Sequence, residues 1–172
     1  MKITTKTQLA LNHLRTGVIA HPTDTIYGLA CMANNPDAIK TLASLKRRDI
    51  KKGFILLASD INYLLPYIDP NLGNDLLEKL SIPAEVATTY LVPKSKNISN
   101  LITGEHELLA VRITSNPLIS YFCENTGSAL ISSSANTQGG KVATSLIELK
   151  KYFGNELSYA LPPNKYNSEP SR

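Results

Sequence analysis

Residues 18–29 read VIAHPTDTIYGL, an apolar segment that passes directly into a polar one. Val18-Ile19-Ala20 is predicted to form a short buried strand. The polar part places two hydroxyls, a carboxylate and a phenol within positions 23–27, a set that can orient a small ligand. The alternative is a capped turn, in which Thr and Asp side chains bond their own backbone and Gly28 supplies an unusual φ. The residues alone leave both interpretations open.

Outside this stretch, strand-like and helix-like segments alternate along the chain. Runs rich in apolar or strand-forming residues predict strands at 54–57, 88–92, 108–113 and 129–132. The run 54–57 is continuous in its apolar character, which is typical of a central strand buried on both faces. Apolar periodicity, helix-starting prolines and helix-ending glycines predict helices at 5–16, 36–45, 76–80, 117–126 and 145–153. The alternation predicts one α/β domain over residues 1–172, with a mixed sheet flanked by helices.

The net charge of +4 is concentrated in one segment of the 172 residues. Residues 40–52 contain six Lys and Arg side chains against the single Asp49, a local charge of +5. The rest of the chain therefore sums to about −1 by the same count. A local basic cluster of this kind is typical of an anion site rather than of a generally basic protein.

Several function classes are disfavoured by what the sequence lacks. It has no apolar run near the roughly 20 residues of a membrane span and no signal peptide at its start, so a cytoplasmic location is expected. Its cysteines, Cys31 and Cys123, form no CxxC pair, and its three histidines are scattered. We therefore expect buried free thiols and no metal centre held by the protein.

The basic segment 46–53, KRRDIKKG, is the second candidate for chemistry. Lys46 and Arg48 alternate, so in an extended loop both would face one side. An Arg fork beside a Lys point charge suits a polyphosphate, although a solvated charged helix end is an equally good interpretation. The segment does not match the G-x-x-x-x-G-K-[ST] phosphate loop.

Two further features complete the candidate set. Ser132-Ser133-Ser134-Ala135-Asn136 follows the strand predicted at 129–132, and short hydroxyls there can bind phosphate oxygens beside backbone N–H groups. The flanking residues do not form G-x-S-x-G, so no catalytic nucleophile is predicted. Arg112 stands in an otherwise apolar strand and needs an anionic partner, either a structural carboxylate or a substrate.

These four features, in this order, resemble the signatures of the YrdC/TsaC family. Residues 22–29 resemble its P-T-[DE]-T-x-Y-G-L signature, residues 46–48 its K-x-R element, residues 110–112 its A-V-R strand and residues 134–136 its S-A-N loop. The resemblance extends from about Gly17 to the end of the chain. It implies a YrdC-like twisted mixed sheet with a large concave pocket.

The resemblance also implies an activity and a set of binding residues. The chain would be a nucleotidyltransferase that condenses L-threonine, bicarbonate or CO2 and ATP to threonylcarbamoyl-AMP and pyrophosphate. This is the first step of N6-threonylcarbamoyladenosine formation in tRNAs that read ANN codons. Threonine would be bound by Thr25, Arg112 and Ser132. ATP would be bound by Lys46, Arg48, Lys52, Ser134, Asn136 and Ser171, with Mg2+ arriving on the nucleotide.

Further partners implied by the resemblance are tRNA or double-stranded RNA and the proteins that transfer the threonylcarbamoyl group, with no membrane contact. The alternative function is a non-catalytic RNA-binding module of the same fold. The basic cluster lacks the interleaved aromatic residues typical of such modules. A carbamoyl-adenylate-forming enzyme is a further alternative, disfavoured because no zinc-finger-like or acylphosphatase-like extension is present.

Three departures from the family pattern bear on these expectations. Glu85-Val86-Ala87 replaces a P-G-P turn, and Leu108 occupies a position where a hydroxyl is common. The sequence stops at Pro170-Ser171-Arg172, where the family continues into another strand, so the C-terminal end is expected to be short or clipped.

Overall fold

A computed structural model describes residues 1–23, 26–84 and 86–162 of the chain. Within these ranges eight strands form one mixed sheet in the order β1-β8-β2-β3-β7-β4-β6-β5. The strands are β1 Lys2–Ile3, β2 Ile19–Pro22, β3 Tyr27–Met32, β4 Ile55–Ala58, β5 Tyr90–Pro93, β6 Leu108–Ile113, β7 Leu130–Ser134 and β8 Tyr159–Ala160. The helices are α1 Thr7–Leu14, α2 Pro36–Leu45, α3 Asn74–Ser81, α4 Asn100–Thr103, α5 Pro117–Thr126 and α6 Leu146–Phe153.

The predicted helices are confirmed, and their ends have the expected chemistry. The Asn35 side chain accepts a hydrogen bond from the Ala38 amide at 3.0 Å at the start of α2, and Pro follows it as the first helical residue. Asn116 caps α5 in the same way, and this helix ends at Gly127, whose φ of 65° is left-handed. The mixed sheet is also confirmed.

Strand β3 was not predicted, because its first half was assigned to the polar segment 22–29, interpreted as either a ligand-binding loop or a capped turn. Its sequence includes Gly28, Ala30 and Cys31, which are poor or indifferent strand formers. The strand nevertheless pairs antiparallel with β2 on one side and β7 on the other. Burial between two neighbours therefore overrides local propensity, and the small side chains suit the crowded centre of the sheet.

One row of paired residues crosses five strands and defines the open face of the sheet. Ala30 pairs with Ser132, Ser132 with Ile55, Ile55 with Ala110 and Ala110 with Leu91. In this row Ile55 is 37% exposed and Leu91 is 65% exposed.

The neighbouring positions point to the opposite face, because side chains alternate along a strand. Leu56, Val111 and Ile131 are completely buried in the core. The expectation that residues 54–57 are buried on both faces is therefore wrong for Ile55, which faces the open side. The open face is the one that carries the candidate site.

Candidate active site

A cavity of about 870 Å3 lies over the open face of the sheet. This volume is within the usual range for small-molecule sites and is large enough for a nucleotide beside an amino acid. Its wall includes Arg48, Lys52, Arg112, Ser132 and Ser134. Five of the nine side chains predicted to bind substrates therefore lie around one space.

Strand periodicity explains why the strand residues converge. Arg112 is two positions beyond Ala110 on β6, so both side chains point to the open face. Ser132 and Ser134 are likewise two positions apart on β7. The alternation of β6 and β7 therefore brings one cation and two hydroxyls onto the same wall.

The Arg48 guanidinium is held in place by its own loop. Its Nε donates to the Gly53 carbonyl at 3.1 Å, and its Nη2 donates to the Lys52 carbonyl at 3.2 Å. The guanidinium carbon also lies 5.4 Å from the centre of the Phe54 ring. A guanidinium has five N–H donors, so these two contacts leave donors that can bind an anion in the cavity.

Lys46 and Arg48 do not alternate along an extended loop as predicted. Lys46 is the helical C-cap residue of α2, and Arg47 follows with a positive φ of 48°, so the chain turns sharply between the two side chains. The Lys46 side chain lies behind the cavity wall, and the residue is only 3% exposed. Arg48 and Lys52 are on the wall itself.

The Lys46 ammonium binds the turn that follows β7. Its Nζ donates to the Ser134 carbonyl, to the Asn136 carbonyl at 2.9 Å and to Asn136 Oδ1 at 3.1 Å. Burial removes the ammonium from water, and the charge of Arg48 opposes it, so the pKa of Lys46 is lowered to about 8. Asn136 supports the turn instead of lining the cavity.

Thr23 and Ile26 belong to a tight turn between β2 and β3, and both line the cavity, as Tyr27 does. The Thr23 hydroxyl donates to the Ile26 carbonyl at 2.7 Å and accepts from the Ile26 amide at 3.2 Å. The phenol of Tyr27 is completely buried and donates to the Leu161 carbonyl at 3.0 Å. The capped-turn interpretation therefore holds for Thr23, and Tyr27 anchors the sheet.

Gly28 does not supply an unusual φ, because its backbone lies in β3 and is not left-handed. A side chain at this position would instead crowd His21 Nε2 at 3.0 Å and Thr23 Cγ2 at 3.2 Å. A larger residue would therefore require the His21 and Thr23 side chains to shift by a few tenths of an ångström. Thr25 and Ser171, the remaining predicted contacts, lie outside the described residues, as does Glu85 of the altered turn.

Part of the cavity wall was not predicted from the sequence. Thr103 lines it from the end of α4, and His106 and Glu107 line it from the segment between α4 and β6. Leu108 lines it too and is 43% exposed, so an apolar side chain stands where the family pattern has a hydroxyl. No residue pattern singled out this segment, but the neighbouring Gly104 was an available signal.

Gly53 and Gly104 allow two backbones to cross beside the cavity. Both have left-handed φ values, 57° and 60°. A Cβ on Gly104 would overlap the Lys51 carbonyl, and one on Gly53 would overlap the Thr103 carbonyl.

Hydrogen bonds fasten this crossing. The Phe54 amide donates to the Ile102 carbonyl at 2.7 Å, and the Glu105 amide donates to the Lys51 carbonyl at 2.9 Å. The Lys51 ammonium also lies 2.8 Å from a Glu105 carboxylate oxygen. The basic segment and the unpredicted wall are therefore joined into one unit, which we call the glycine crossing (residues 51–54 and 102–105).

Two further observations concern the described part of the chain. No group of three or more His, Cys, Asp and Glu side chains there is placed to hold a metal ion. In the same ranges, none of the helices has the length and apolar character that a bilayer span requires. Cys31 and Cys123 are buried free thiols, as expected.

Comparison with known proteins agrees with this geometry. Residues 13–172 match the family model named for Sua5, YciO and YrdC and described as telomere recombination. The match covers most of the sequence. The chain belongs to the Sua5/YciO/YrdC family, as the resemblance of its motifs indicated.

Among curated proteins, relatives named threonylcarbamoyl-AMP synthase match at substantial identity. The protein from Haemophilus ducreyi is 40% identical over 80% of this chain and 76% of its own length. The one from Pseudoalteromonas atlantica is 38% identical over 86% of this chain and 79% of its own length. The Acinetobacter baumannii protein is 36% identical over 99% of this chain and 93% of its own length.

Solved structures confirm the fold. P. abyssi Sua5 complexed with L-threonine superposes with a TM-score of 0.80 at 23% identity, covering 93% of this chain. This chain spans about half of that protein, 47% of its length. E. coli YciO gives a TM-score of 0.76 at 22% identity, covering 96% of this chain and 82% of its own.

Proposed function

We propose that this protein condenses L-threonine, bicarbonate or CO2 and ATP to threonylcarbamoyl-AMP and pyrophosphate. The observation that carries the proposal is the single cavity on whose wall Arg48, Lys52 and Arg112 meet Ser132 and Ser134. Cations and hydroxyls around one space suit a nucleotide beside an amino acid. Relatives at 36–40% identity are named for this synthase, which supports the same assignment.

The reaction needs two bond-forming steps. The threonine amine bonds to the carbon of CO2, or of bicarbonate with loss of water, and gives a carbamate. A carbamate oxygen then attacks the α-phosphorus of ATP, and the bond from that phosphorus to the bridging oxygen breaks as pyrophosphate leaves. Because AMP is transferred to the carbamate, the enzyme is a nucleotidyltransferase, and no protein nucleophile is required.

Each described side chain on the wall has a role in this proposal. Arg112 binds the threonine carboxylate and Ser132 binds threonine beside it. Arg48 and Lys52 neutralise the growing charge of the leaving pyrophosphate. The Ser134 hydroxyl donates its own proton to Asn136 Oδ1, so it binds the nucleotide by accepting a hydrogen bond from a water of the magnesium complex. The rate then comes from positioning and charge stabilisation in a site that excludes water.

The nucleotide is proposed to enter as its magnesium complex. Magnesium keeps several waters and commonly binds through phosphate oxygens with few protein ligands. Apart from His106, Glu107 and Asn116, the polar side chains of the cavity wall are cations and hydroxyls, which fit the phosphates of such a complex better than they fit a metal ion. Magnesium is therefore part of the substrate in this proposal.

The product is proposed to supply N6-threonylcarbamoyladenosine formation in tRNAs that read ANN codons, through proteins that transfer the threonylcarbamoyl group. The alternative of an RNA-binding module rests on the basic segment. Two lysines of the basic cluster 40–52 are in surface ion pairs, Lys51 with Glu105 at 2.8 Å and Lys40 with Asp37 at 3.6 Å. These pairs reduce the charge available to RNA phosphates, which favours the enzyme.

The test is an assay of pyrophosphate release from ATP, with threonine and bicarbonate omitted in turn. We expect release only when both co-substrates are present, and threonylcarbamoyl-AMP as the adenylate product by mass spectrometry. Tight RNA binding without turnover would instead support the RNA-binding module. Carbamoyl-adenylate formed without threonine would support the third alternative.

A further inference from the structure

The Lys46 ammonium directs all its N–H donors at protein acceptors and has none left for a substrate. An ammonium has three N–H donors, and three acceptors surround this one: the Ser134 carbonyl, the Asn136 carbonyl and Asn136 Oδ1. The residue is 3% exposed and is not part of the cavity wall. No carboxylate pairs with it within the ranges that the structure describes.

The same turn is connected to Lys46 through the backbone and through Asn136. The Gln138 amide donates to the Lys46 carbonyl at 2.8 Å. Asn136 Nδ2 donates to the Gly140 carbonyl at 2.8 Å. Residues 134–140 are therefore hydrogen-bonded to Lys46 at the end of α2, through both its side chain and its backbone carbonyl. The Asn136–Gly140 hydrogen bond closes the turn on itself.

Asn136 also connects Lys46 to a hydroxyl on the cavity wall. Its Oδ1 accepts from the Ser134 hydroxyl at 2.7 Å as well as from Lys46. The proton of the Ser134 hydroxyl is therefore directed at Asn136, and the oxygen lone pairs remain for a donor in the cavity. The orientation of one wall hydroxyl depends on a cation behind the wall.

We propose that Lys46 is a positioning residue, which holds the turn 134–140 and thereby orients the Ser134 hydroxyl, rather than a residue that contacts the ATP phosphates. This inference rests on the proposed function only for its kinetic consequence. Its structural part concerns the ligand-free protein. The two cations of the K-x-R segment then have different roles. Lys46 holds the turn behind the cavity wall, and Arg48 lies on the wall and offers its positive charge to the phosphates.

The first experiment measures amide hydrogen exchange in the ligand-free protein. Lys46→Met removes the ammonium and keeps an unbranched side chain of similar length. Lys52→Met is the matched control, because it removes one charge of the same basic segment from the cavity wall. We expect exchange of residues 134–140 to be at least tenfold faster in Lys46→Met and unchanged in Lys52→Met.

Equal protection in wild type and Lys46→Met would overturn the inference. If Lys46→Met does not fold, Asn136→Ala provides the same test with the lysine in place, because it removes the shared acceptor. We expect faster exchange of residues 134–140 in that variant too, and unchanged exchange would again overturn the inference. Neither measurement needs substrate, so a failure of the proposed function would show separately, as absent pyrophosphate release in wild type.

The second experiment is a double-mutant cycle on kcat/KM for ATP. If Lys46 acts through the turn, Lys46→Met and Asn136→Ala each lower kcat/KM by about 10- to 100-fold, and the double variant is hardly worse than either. The fold-reductions in kcat/KM caused by Lys46→Met and Lys52→Met should multiply in the corresponding double variant, because the two residues act independently. Independent effects of Lys46→Met and Asn136→Ala would overturn the inference.

Lys46→Arg separates charge from positioning. A planar guanidinium keeps the charge but cannot direct three N–H donors at the three converging acceptors. We expect no recovery of kcat/KM over Lys46→Met. Wild-type kcat/KM in Lys46→Arg would show that charge alone is needed and would overturn the inference.

Discussion

Arg112 lies directly opposite Leu57 in the pairing of β6 with β4, and the other neighbour of β4 carries Ser132 opposite Ile55. Arg112 and Ser132 are thus on strands separated by β4. Their partners on β4, Leu57 and Ile55, are two residues apart, so the two side chains are offset by two residues along the strand direction. Strands are about 4.8 Å apart, so the separation is roughly 10–12 Å between backbones. Both residues line the cavity, and Ile55 and Leu57 of β4 line it between them.

The first prediction concerns Arg112. Arg112→Ala should raise the threonine concentration needed for half-maximal pyrophosphate release by about 10- to 150-fold, because one charge-assisted contact to the carboxylate is lost. The KM for ATP should change much less. Lys52→Ala is the control and should show the reverse pattern. Equal effects of both variants on both substrates would contradict the division of the cavity into two subsites.

The sequence was sufficient to predict five of the six helices in the described part of the chain and the face that a strand residue occupies, because both depend on local signals. The four-residue helix α4 was not predicted. Caps such as Asn35 and Asn116 act within one turn, and alternation along β6 fixes the face that Arg112 occupies. Strand β3 depends on burial between β2 and β7, which no local pattern reveals. Its glycine and alanine residues therefore misled the prediction.

The candidate site could be predicted only where its residues lie in recognisable patterns. Arg48, Arg112 and Ser132 belong to such patterns. His106 and Glu107 reach the wall beside a long-range contact of two backbones, and the only local signal of it is the neighbouring Gly104. Lysine is a common phosphate-binding residue, which is why Lys46 was predicted to contact ATP. Its burial behind the cavity wall depends on where α2 ends, which the sequence does not fix to one residue.

A second prediction concerns the glycine crossing. Gly104→Ala should destabilise the protein by more than the 1–3 kcal/mol typical of a strained backbone, because the new methyl group would also overlap the Lys51 carbonyl. Gly73→Ala is the matched control, since its Cβ would meet open space. Urea unfolding should show a large decrease in the free energy of unfolding for Gly104→Ala and little change for Gly73→Ala. Similar stability of both variants would contradict the close approach.

The third prediction is a pH dependence of activity. The pKa of Lys46 is lowered to about 8 by burial and by the charge of Arg48. Loss of its proton removes an N–H donor from the turn, so kcat/KM should fall as the pH rises through about 8. The matching limb should be missing from the pH profile of Lys46→Met. An identical limb in that variant would assign the titration to another group.

Stability should respond to pH in the opposite sense. Between pH 8 and the ordinary lysine pKa of 10.5, the unfolded chain holds the Lys46 proton more tightly than the folded chain does. The free energy of unfolding therefore rises with pH in this window through Lys46. Urea unfolding of wild type and Lys46→Met at pH 7.5 and 9.5 measures this, and the difference should move in favour of wild type at the higher pH.

The fifth prediction uses the two thiols. Burial raises the pKa of Cys31 to about 12 and also raises the pKa of Cys123. Since the thiolate is the reactive form, neither thiol should react with a disulfide reagent in the folded protein at pH 8. Two thiols should react after denaturation. Rapid reaction of the native protein would contradict the burial of the β3 or α5 core positions.

The glycine crossing also limits how this architecture can diversify. Because the backbone at 51–54 interlocks with the backbone at 102–105, an inserted or deleted residue on either side would pull both apart. We therefore expect the lengths of these two segments to tolerate little change, although loop length is a usual source of new specificity. Variation there has to proceed by exchange of individual side chains such as Leu108 on a frame of constant length.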